Sequence, residues 1–369
     1  MIPLLAIFLL FILLFALTVY LYMRLPMFGR EPSGNRLERI RQSPHYRDGS
    51  FQNLSHTPAL TEGMTYSAVM KEFFLKDKSR SRPKAPVPSK KTDLKHLRPE
   101  ENVLVWFGHS SYFMQVDGKR ILVDPVLSGA ASPVAFTTRA FNGSDVYRPE
   151  EFPEIDYLFI SHDHWDHLDY KTIMRLKPKI GKIICGLGTG EHFEHWGFDP
   201  GRILEADWKE QLILEDGFVV HTVPSRHFSG RGFKRNKALW LSFVLQTPSL
   251  KLFLGGDSGY DTHFLEAGKQ HGPFDLAILE NGQYDKSWKY IHMKPEEVLM
   301  AAKDLGARRL FPVHSGKFSL ANHHWDEPLK RISALAPEAG ISIVTPLIGE
   351  ALLLKESDQT FSSWWTQIS

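Results

Sequence analysis

The sequence predicts a mixed α/β (or α+β) domain with large packed sheets, preceded by one transmembrane helix. From residue 103 onward, short apolar runs alternate with turns rich in Gly and Asp, and helical patterns are fewer. The first residues instead form one long apolar run, unlike the rest of the 369-residue chain. A hydrophobic fraction of 43% is enough to fill a core. We therefore expect a globular domain attached to a membrane anchor.

The predicted anchor covers residues 1–24. Residues 4–23 (LLAIFLLFILLFALTVYLYM) carry no charge, and a helix of that length spans about 30 Å, the thickness of a bilayer's hydrocarbon core. A cleaved signal peptide is the alternative, but it needs a basic stretch before the apolar run and a small-residue cleavage site after it. The sequence has neither, which favours a retained anchor.

The charges after the anchor predict its orientation. Residues 24–41 contain five arginines and only two glutamates. By the positive-inside rule, this excess places the rest of the chain in the cytoplasm. The single cysteine, Cys185, excludes an internal disulfide and suits a reducing compartment.

Residues 25–98 are predicted to form a polar and basic juxtamembrane region and linker. Within them, residues 76–91 (KDKSRSRPKAPVPSKK) hold seven Lys or Arg and three Pro, a composition that cannot bury enough apolar surface to fold alone. We interpret this stretch as a solvated linker. Contact with anionic lipid headgroups is the alternative, and the two interpretations are compatible.

Residues 99–369 form the predicted domain. Asp117-Gly118 between two apolar runs is a strong hairpin signal. The clearest helix is KPEEVLMAAKDLG, with Pro295 near its start and Gly306 at its end. The runs expected to form strands are VLVWF (103–107), YFMQV (112–116), RILVD (120–124), DYLFI (156–160), KIIC (182–185), FVVHTV (218–223), LSFVLQ (241–246), KLFLGGD (251–257), LAILE (276–280), RLFPVH (309–314) and ISIVTP (341–346).

Histidines and aspartates follow four of these strands. Strand ends meet at one rim of a sheet, where open α/β architectures commonly build their sites. Neutral imidazoles with carboxylates suit zinc, manganese or iron, and a lone cysteine excludes a thiolate-rich structural zinc site. The same run of polar residues also contains Asp163 and Asp169. The candidate ligands of an open metal site are His162, His164, Asp166, His167, His227, Asp257 and His314.

These residues stand in recognisable motifs. SHDHWDH has the H-x-H-x-D-H pattern, followed in order by SRHFSGR, GGDSGYD and PVHSGKF, and this series resembles the metallo-β-lactamase superfamily. More narrowly, the chain looks like the branch that contains N-acylphosphatidylethanolamine-hydrolysing phospholipase D. The segments that indicate this branch are WFGHSSYFMQVDGKRILVDPVLSGAASP, GDSGY, YIHMKPEEV and PVHSGKFSLANHHWDEP.

The resemblance implies a four-layer αββα sandwich with two divalent metal ions, expected to be Zn2+, at one edge of the paired sheets. It also implies Asp257 and His292 as catalytic residues, with His292 near the site as a contact to the substrate or to a metal ligand, and it implies that His109 and Asp124 support the ligands. The family does not use the position of Asp163 as a ligand, and we interpret Asp163 and Asp169 as bystanders or as supporting groups. The implied ligands are His162, His164 and His227 for one ion, Asp166, His167 and His314 for the other, and Asp257 as the bridge between them.

The expected function is that of a membrane-anchored, zinc-dependent phosphodiesterase of the phospholipase D type. It would cleave N-acylphosphatidylethanolamine to phosphatidic acid and N-acylethanolamine. The open alternatives are a hydrolase of a lactone or a soluble phosphodiester, and a non-catalytic metal-binding membrane protein. The expected partners are the lipid bilayer and a phospholipid substrate, and a homodimer is possible. A formal charge of +2 argues against nucleic acid as a partner.

Overall fold

The order of helices and strands follows the α/β pattern expected from the sequence. The computed structural model describes residues 2–75 and 79–368. Residues 76–78 of the predicted linker lie outside the described residues. The helices are α1 (Ile2–Met23), α2 (Gly34–Gln42), α3 (Tyr66–Leu75), α4 (Tyr170–Leu176), α5 (Gly190–His195), α6 (His263–His271), α7 (Pro295–Asp304) and α8 (Glu327–Ala339). The strands are β1 (Tyr46–Arg47), β2 (Ser50–Phe51), β3 (Val103–Trp106), β4 (Tyr112–Val116), β5 (Lys119–Val123), β6 (Ile155–Ile160), β7 (Ile180–Gly186), β8 (Ile203–Ala206), β9 (Gln211–Ile213), β10 (Val219–Pro224), β11 (Leu241–Gln246), β12 (Lys251–Leu254), β13 (Leu276–Glu280), β14 (Arg309–Val313), β15 (Ser342–Ile343) and β16 (Ala351–Leu353).

Two seven-stranded sheets form the centre of the domain. The first has the order β16-β3-β4-β5-β6-β7-β8 and the second β15-β14-β13-β12-β11-β10-β9. The strands β5 to β8 run parallel, as do β12 to β15. Because β10 is antiparallel to β11, which is antiparallel to β12, the carboxyl ends of β10, β12, β13 and β14 all lie at one edge of the second sheet.

The two sheets pack face to face and helices cover their outer faces. In β6, Tyr157 and Phe159 enter the core between the sheets, while Leu158 and Ile160 enter the core under α4 and α5. The outer face of the second sheet packs against α6, α7 and α8 in the same way. Alternate side chains thus fill two different layers, because successive residues of a strand point to opposite faces. The αββα architecture expected from the resemblance is confirmed.

The predicted hairpin is present between β4 and β5. Asp117 and Gly118 have φ values of 44° and 79°, as a two-residue turn of the type favoured by Asp-Gly requires. The sequence did not predict β8, β9 or β16, which end or flank the sheets. Of the predicted strand 341–346, only Ser342–Ile343 is strand, and its pairing with β14 extends to Val344, whose N–H donates to the carbonyl of Leu310 at 2.9 Å.

Helix α1 is long and apolar enough to cross a membrane. Its candidate span, Leu4–Met23, has no part buried inside the rest of the structure. The helix ends before a turn at Pro26–Phe28, and α2 follows after only a few residues. The helix is thus joined to the domain by a short connection.

Much of the segment from 25 to 98 packs on the domain, which differs from the prediction of a polar region and solvated linker. Ile40 and Phe51 are fully buried in the core between the sheets. Arg36 forms ion pairs with Glu191 and Glu205 at 2.7 and 2.6 Å and a third with Glu194. In the predicted linker, buried Val87 donates its N–H to the carbonyl of Asn142 at 2.7 Å. Composition alone misses such segments, because a single apolar residue can fill a gap in the domain.

Candidate metal centre

The predicted metal ligands converge at one edge of the two sheets. His162 follows β6, His227 follows β10, Asp257 follows β12, and His314 directly follows β14. Their ligand atoms fall into overlapping groups in which all atoms lie within 4.8 Å of one another. Strand ends that are far apart in the sequence therefore meet here, as the strand-end pattern predicted.

One group consists of three histidines. His162 Nε2 lies 2.9 Å from His164 Nδ1, and His227 Nε2 lies 3.2 Å from the same atom. Burial lowers the pKa of His162 and His227 well below the ordinary value and lowers that of His164 to about 4. All three imidazoles are therefore neutral near pH 7, which is the form that binds a metal.

A second group contains Asp166, His167 and His314, and His109 belongs to it as well. His109 Nε2 lies 2.9 Å from Asp166 Oδ2, and His167 Nε2 lies 3.5 Å from the same oxygen. His109 thus holds the carboxylate of Asp166, which agrees with the supporting role implied by the resemblance. His109 is fully buried and would favour one orientation of the Asp166 carboxylate.

Asp257 lies between the two groups. Its Oδ2 is 3.8 Å from Nε2 of both His162 and His227 and 3.2 Å from His167 Nε2, while Oδ1 is 3.1 Å from His314 Nδ1. Burial raises the pKa of Asp257 to about 6. This is the position that a carboxylate bridging two ions would occupy.

The buried polar atoms test whether a cation fits. Asp257 Oδ1 and His167 Nε2 are buried and, among the described residues, have no hydrogen-bond partner. Such atoms cost free energy unless they are paired. Together with three neutral imidazoles whose nitrogens face one another, they form a donor set that suits divalent ions such as zinc.

A layer of hydrogen bonds orients the histidine rings. Asp124 accepts from Ser161 N and Ser161 Oγ at 2.8 and 2.6 Å, and its Oδ2 lies 2.8 Å from His167 Nδ1. Ser110 Oγ lies 2.8 Å from His314 Nδ1. His109, Asp124 and His314 all have left-handed backbone, with φ of 55°, 41° and 64°. Non-glycine residues adopt this conformation at a cost, and such strain is concentrated at functional sites.

Asn53, in the predicted juxtamembrane region, holds the backbone of His227. Its Nδ2 donates to the carbonyl of His227 at 2.7 Å, and its Oδ1 accepts from the N–H of His227 at 3.1 Å. The two residues are 174 positions apart in the chain. No pattern in the sequence indicates this contact.

Glu280, the last residue of β13, is a second functional candidate that the sequence motifs did not single out. Its Oε2 lies 2.6 Å from His292 Nδ1, and its Oε1 accepts from Met293 N at 2.9 Å. Burial raises the pKa of Glu280 well above its usual range and lowers that of His292. Its place at a strand end, the same signal that marks the metal ligands, could have identified Glu280. His292 itself lies beside the cluster, where the resemblance implied it.

Asp163 and Asp169 have defined structural roles. Asp163 is buried and accepts from Gly230 N at 2.6 Å. Asp169 caps the start of α4 by accepting from Lys171 N at 3.1 Å and also accepts from Ser128 N at 3.0 Å. These contacts favour the interpretation of both carboxylates as supporting groups over that of bystanders.

A cavity of about 510 Å3 opens above the cluster. Its floor includes His164, Asp166, Asp257, His292 and His314. Arg235 supplies a cationic group and packs its guanidinium 4.8 Å from the ring centre of Phe228. The apolar wall residues are Pro58, Ala59, Leu60, Val69, Phe228, Trp288, Ile291 and Leu320.

Comparisons with known proteins agree with this geometry. A family model described as "Beta-lactamase superfamily domain" matches residues 119–315. An uncharacterised protein of Mycobacterium tuberculosis is 38% identical over 323 residues, which cover 84% of each chain. N-acyl-phosphatidylethanolamine-hydrolyzing phospholipase D 1 of Caenorhabditis elegans is 28% identical over 317 residues, covering 78% of this chain and 84% of the relative.

Two further likenesses concern part of the chain and the fold. A Klebsiella pneumoniae protein named outer membrane protein RomA is 57% identical over 102 residues, covering 28% of this chain and 77% of the relative. The solved structure of Igni18, a metallo hydrolase from Ignicoccus hospitalis, has a TM-score of 0.52 at 21% identity, covering 68% of this chain and 97% of that one. At that identity the likeness supports the fold alone.

Proposed function

Because the chain belongs to the metallo-β-lactamase superfamily, we propose that it is a membrane-anchored hydrolase of the phospholipase D type that cleaves N-acylphosphatidylethanolamine to phosphatidic acid and an N-acylethanolamine. The observation that carries the proposal is the cavity, which combines a floor of metal-binding groups with apolar walls. The name of the 28% identical relative supports the same substrate.

The residue clusters and the family indicate a divalent metal site, and we propose that it holds two Zn2+ ions. When bound, such ions activate water as a nucleophile and neutralise charge on the phosphate. Asp257 would orient the attacking water and accept its proton. Arg235 in the wall would pair with the phosphate of the substrate. His292 accepts a hydrogen bond at Nδ1 from the protonated Glu280 carboxyl. It would donate its Nε2 proton to the departing alcohol oxygen, while Glu280 would pass its own proton to Nδ1.

The surface around the cavity suits a lipid. Tyr66 and Val69 of α3 line the cavity, and Tyr66, Met70 and Phe74, which are spaced four residues apart on one face of the same helix, are exposed. An exposed apolar helix face on a soluble protein marks a binding surface. With α1 as an anchor, this face would lie near the bilayer from which a lipid substrate is drawn.

The direct test is incubation of zinc-loaded full-length protein with vesicles of N-acylphosphatidylethanolamine and, separately, with lactones and a soluble phosphodiester, followed by mass spectrometry of the products. We expect N-acylethanolamine and phosphatidic acid in equal amounts. Val69→Asp places a carboxylate in the apolar wall of the cavity and should raise KM for the lipid about tenfold. The control, Ala68→Asp, adds the same charge on the exposed side of α3 and should leave KM unchanged. Opening of lactones without lipid cleavage would contradict the proposal.

We also propose that the catalytic domain lies on the cytoplasmic side of the membrane. The excess of arginine after α1 supports this orientation, whereas the name of the Klebsiella relative favours an outer membrane location. Because Cys185 is fully buried, a single cysteine introduced at Ile213, which is 81% exposed, would be the main reactive thiol. We expect a membrane-impermeant thiol reagent to label Ile213→Cys only after lysis. Labelling in intact cells or in spheroplasts would contradict the orientation.

A further inference from the structure

We propose that residues 26–30, which directly follow the membrane helix, act with buried Arg231 as a clamp that positions the metal-binding loop 161–168. The proposal rests on the proposed function for the identity of that loop. It assigns a positioning role to Phe28, and to Trp165 and Arg231, two residues that lie inside SHDHWDH and SRHFSGR but are not candidate ligands.

Arg231 donates hydrogen bonds to two points of the loop, on either side of three metal-binding residues. Its Nη1 donates to the carbonyls of Asp163 at 2.8 Å and Leu168 at 2.7 Å. The metal-binding residues His164, Asp166 and His167 stand between these two carbonyls. One nitrogen atom therefore fixes the span of the loop that carries them.

The same guanidinium reaches the segment after α1. Arg231 Nε and Nη2 donate to the carbonyl of Met27 at 3.1 and 2.8 Å. Arg231 is only 4% exposed, and burial lowers its pKa to about 10, so it remains charged near neutrality. A buried charge that bonds mainly to backbone carbonyls is costly to place, and here those carbonyls belong to the loop and to the segment that follows the anchor.

Trp165 forms the second contact between the two parts. Its ring contacts both Phe28, at a centroid distance of 5.1 Å, and the Arg231 guanidinium, at 4.0 Å. Trp165 stands between His164 and Asp166 in the chain, so the position of its ring constrains the backbone of both. Aromatic and cation–π contacts of this kind each contribute on the order of 1 kcal/mol.

A chain of hydrogen bonds forms the third contact. Arg30 N donates to His192 Nδ1 at 3.1 Å, which leaves the ring proton on Nε2, and that atom lies 3.2 Å from Asp163 Oδ2. Gly29 makes the close approach possible: it has φ of 71°, and a Cβ at this position would lie 2.0 Å from His192 Nδ1. Any larger residue would displace residues 26–30 from the loop.

The test compares full-length variants in detergent, each loaded with Zn2+ or Co2+. Gly29→Ala and Phe28→Ala weaken the segment without touching a metal ligand, and Arg231→Lys removes the two-ended contact. The matched controls are Gly49→Ala, which has φ of 74° and only Lys237 Nζ at 3.9 Å from an added Cβ, and Arg309→Lys, a buried arginine that bonds to the carbonyls of Leu353 and Glu356. The readouts are metal loss to a chelator and the visible absorption spectrum of the Co2+ form.

We expect the three clamp variants to lose metal 10- to 100-fold more readily than wild type, as is typical when groups that support ligands are removed, with an altered Co2+ spectrum. The controls should match wild type. A thiol reagent should leave buried Cys185 unmodified in every folded variant. If Gly29→Ala or Arg231→Lys fails to fold, the result for Phe28→Ala, a change at a half-buried position, decides whether the clamp exists. Metal retention and spectra equal to wild type would overturn the clamp. Absence of metal from wild type itself would instead overturn the proposed function.

Discussion

Replacing Asp257 with alanine should abolish hydrolysis and strip the protein of metal. Among the residues that the structure describes, Asp257 is the one carboxylate that contacts histidines of both groups. Its oxygens lie within 3.8 Å of His162 and His227 on one side and within 3.2 Å of His167 and His314 on the other. Its removal leaves two groups of imidazoles with no shared anion between them. We expect kcat/KM to fall on the order of 10³-fold or more and the metal content, measured by plasma mass spectrometry, to fall below one ion per chain. His164→Ala should give the same result.

Asp163→Asn is the matched control because it changes a carboxylate in the same loop. The asparagine oxygen still accepts from Gly230 N, and only the contact with His192 is lost. Asp163 supplies one contact of the clamp but no metal ligand, so this variant should keep its metal in the absence of a chelator and lose less than about tenfold in kcat/KM. Equal losses from Asp257→Ala, His164→Ala and Asp163→Asn would show that the residue assignment is wrong.

Replacing His292 with alanine should lower kcat about 10²-fold while leaving metal content unchanged. The ring nitrogen Nδ1 faces Glu280 at 2.6 Å, so the remaining nitrogen is the one available to the cavity that His292 lines. A group so placed would protonate the departing oxygen of the ethanolamide. Glu280→Gln should lower kcat about tenfold by loosening the ring, since hydrogen-bond partners of catalytic groups have effects of this size.

The leaving group distinguishes proton donation from a structural effect. With a nitrophenyl phosphodiester, whose leaving oxygen needs no proton, His292→Ala should retain most of its activity. His271→Ala, on the outer helix α6, serves as the control for loss of a histidine ring. If His292→Ala lost equal activity with both leaving groups, or behaved like His271→Ala with both, His292 would not be the proton donor.

The fold was predictable wherever local pattern and tertiary environment agree. LSFVLQ and LAILE match β11 and β13 residue for residue, because apolar runs bounded by turn residues are the pattern of strands buried on both faces. The ligand set was predictable for a related reason. Strands that run in the same direction have their carboxyl ends at one edge of a sheet. His162, His227, Asp257 and His314 each come just after a predicted strand, so they could be grouped once those strands were taken to run in the same direction.

The residues that support the metal ligands from other segments were not predictable, because their roles depend on contacts between parts of the chain that are far apart in the sequence. Asn53 contacts a residue 174 positions away, and Arg231 reaches a carbonyl 204 positions away. Asn53 lies in a stretch whose composition is that of a surface loop, and Arg231 ends the motif SRHFSGR, which does not show what its side chain contacts. The prediction of a polar juxtamembrane region missed Ile40 and Phe51 for the same reason, since they are isolated apolar residues whose burial only the assembled core shows.

The short connection between α1 and the domain has a consequence for kinetics. Only the turn at Pro26–Phe28 and a few residues separate α1 from α2. If α1 spans the membrane as we propose, the domain would have little freedom to leave the bilayer surface. Under the proposed function, enzyme and substrate then meet by lateral diffusion in two dimensions. Turnover would follow the mole fraction of substrate in the membrane rather than its bulk concentration, and inert lipid would act as a surface diluent.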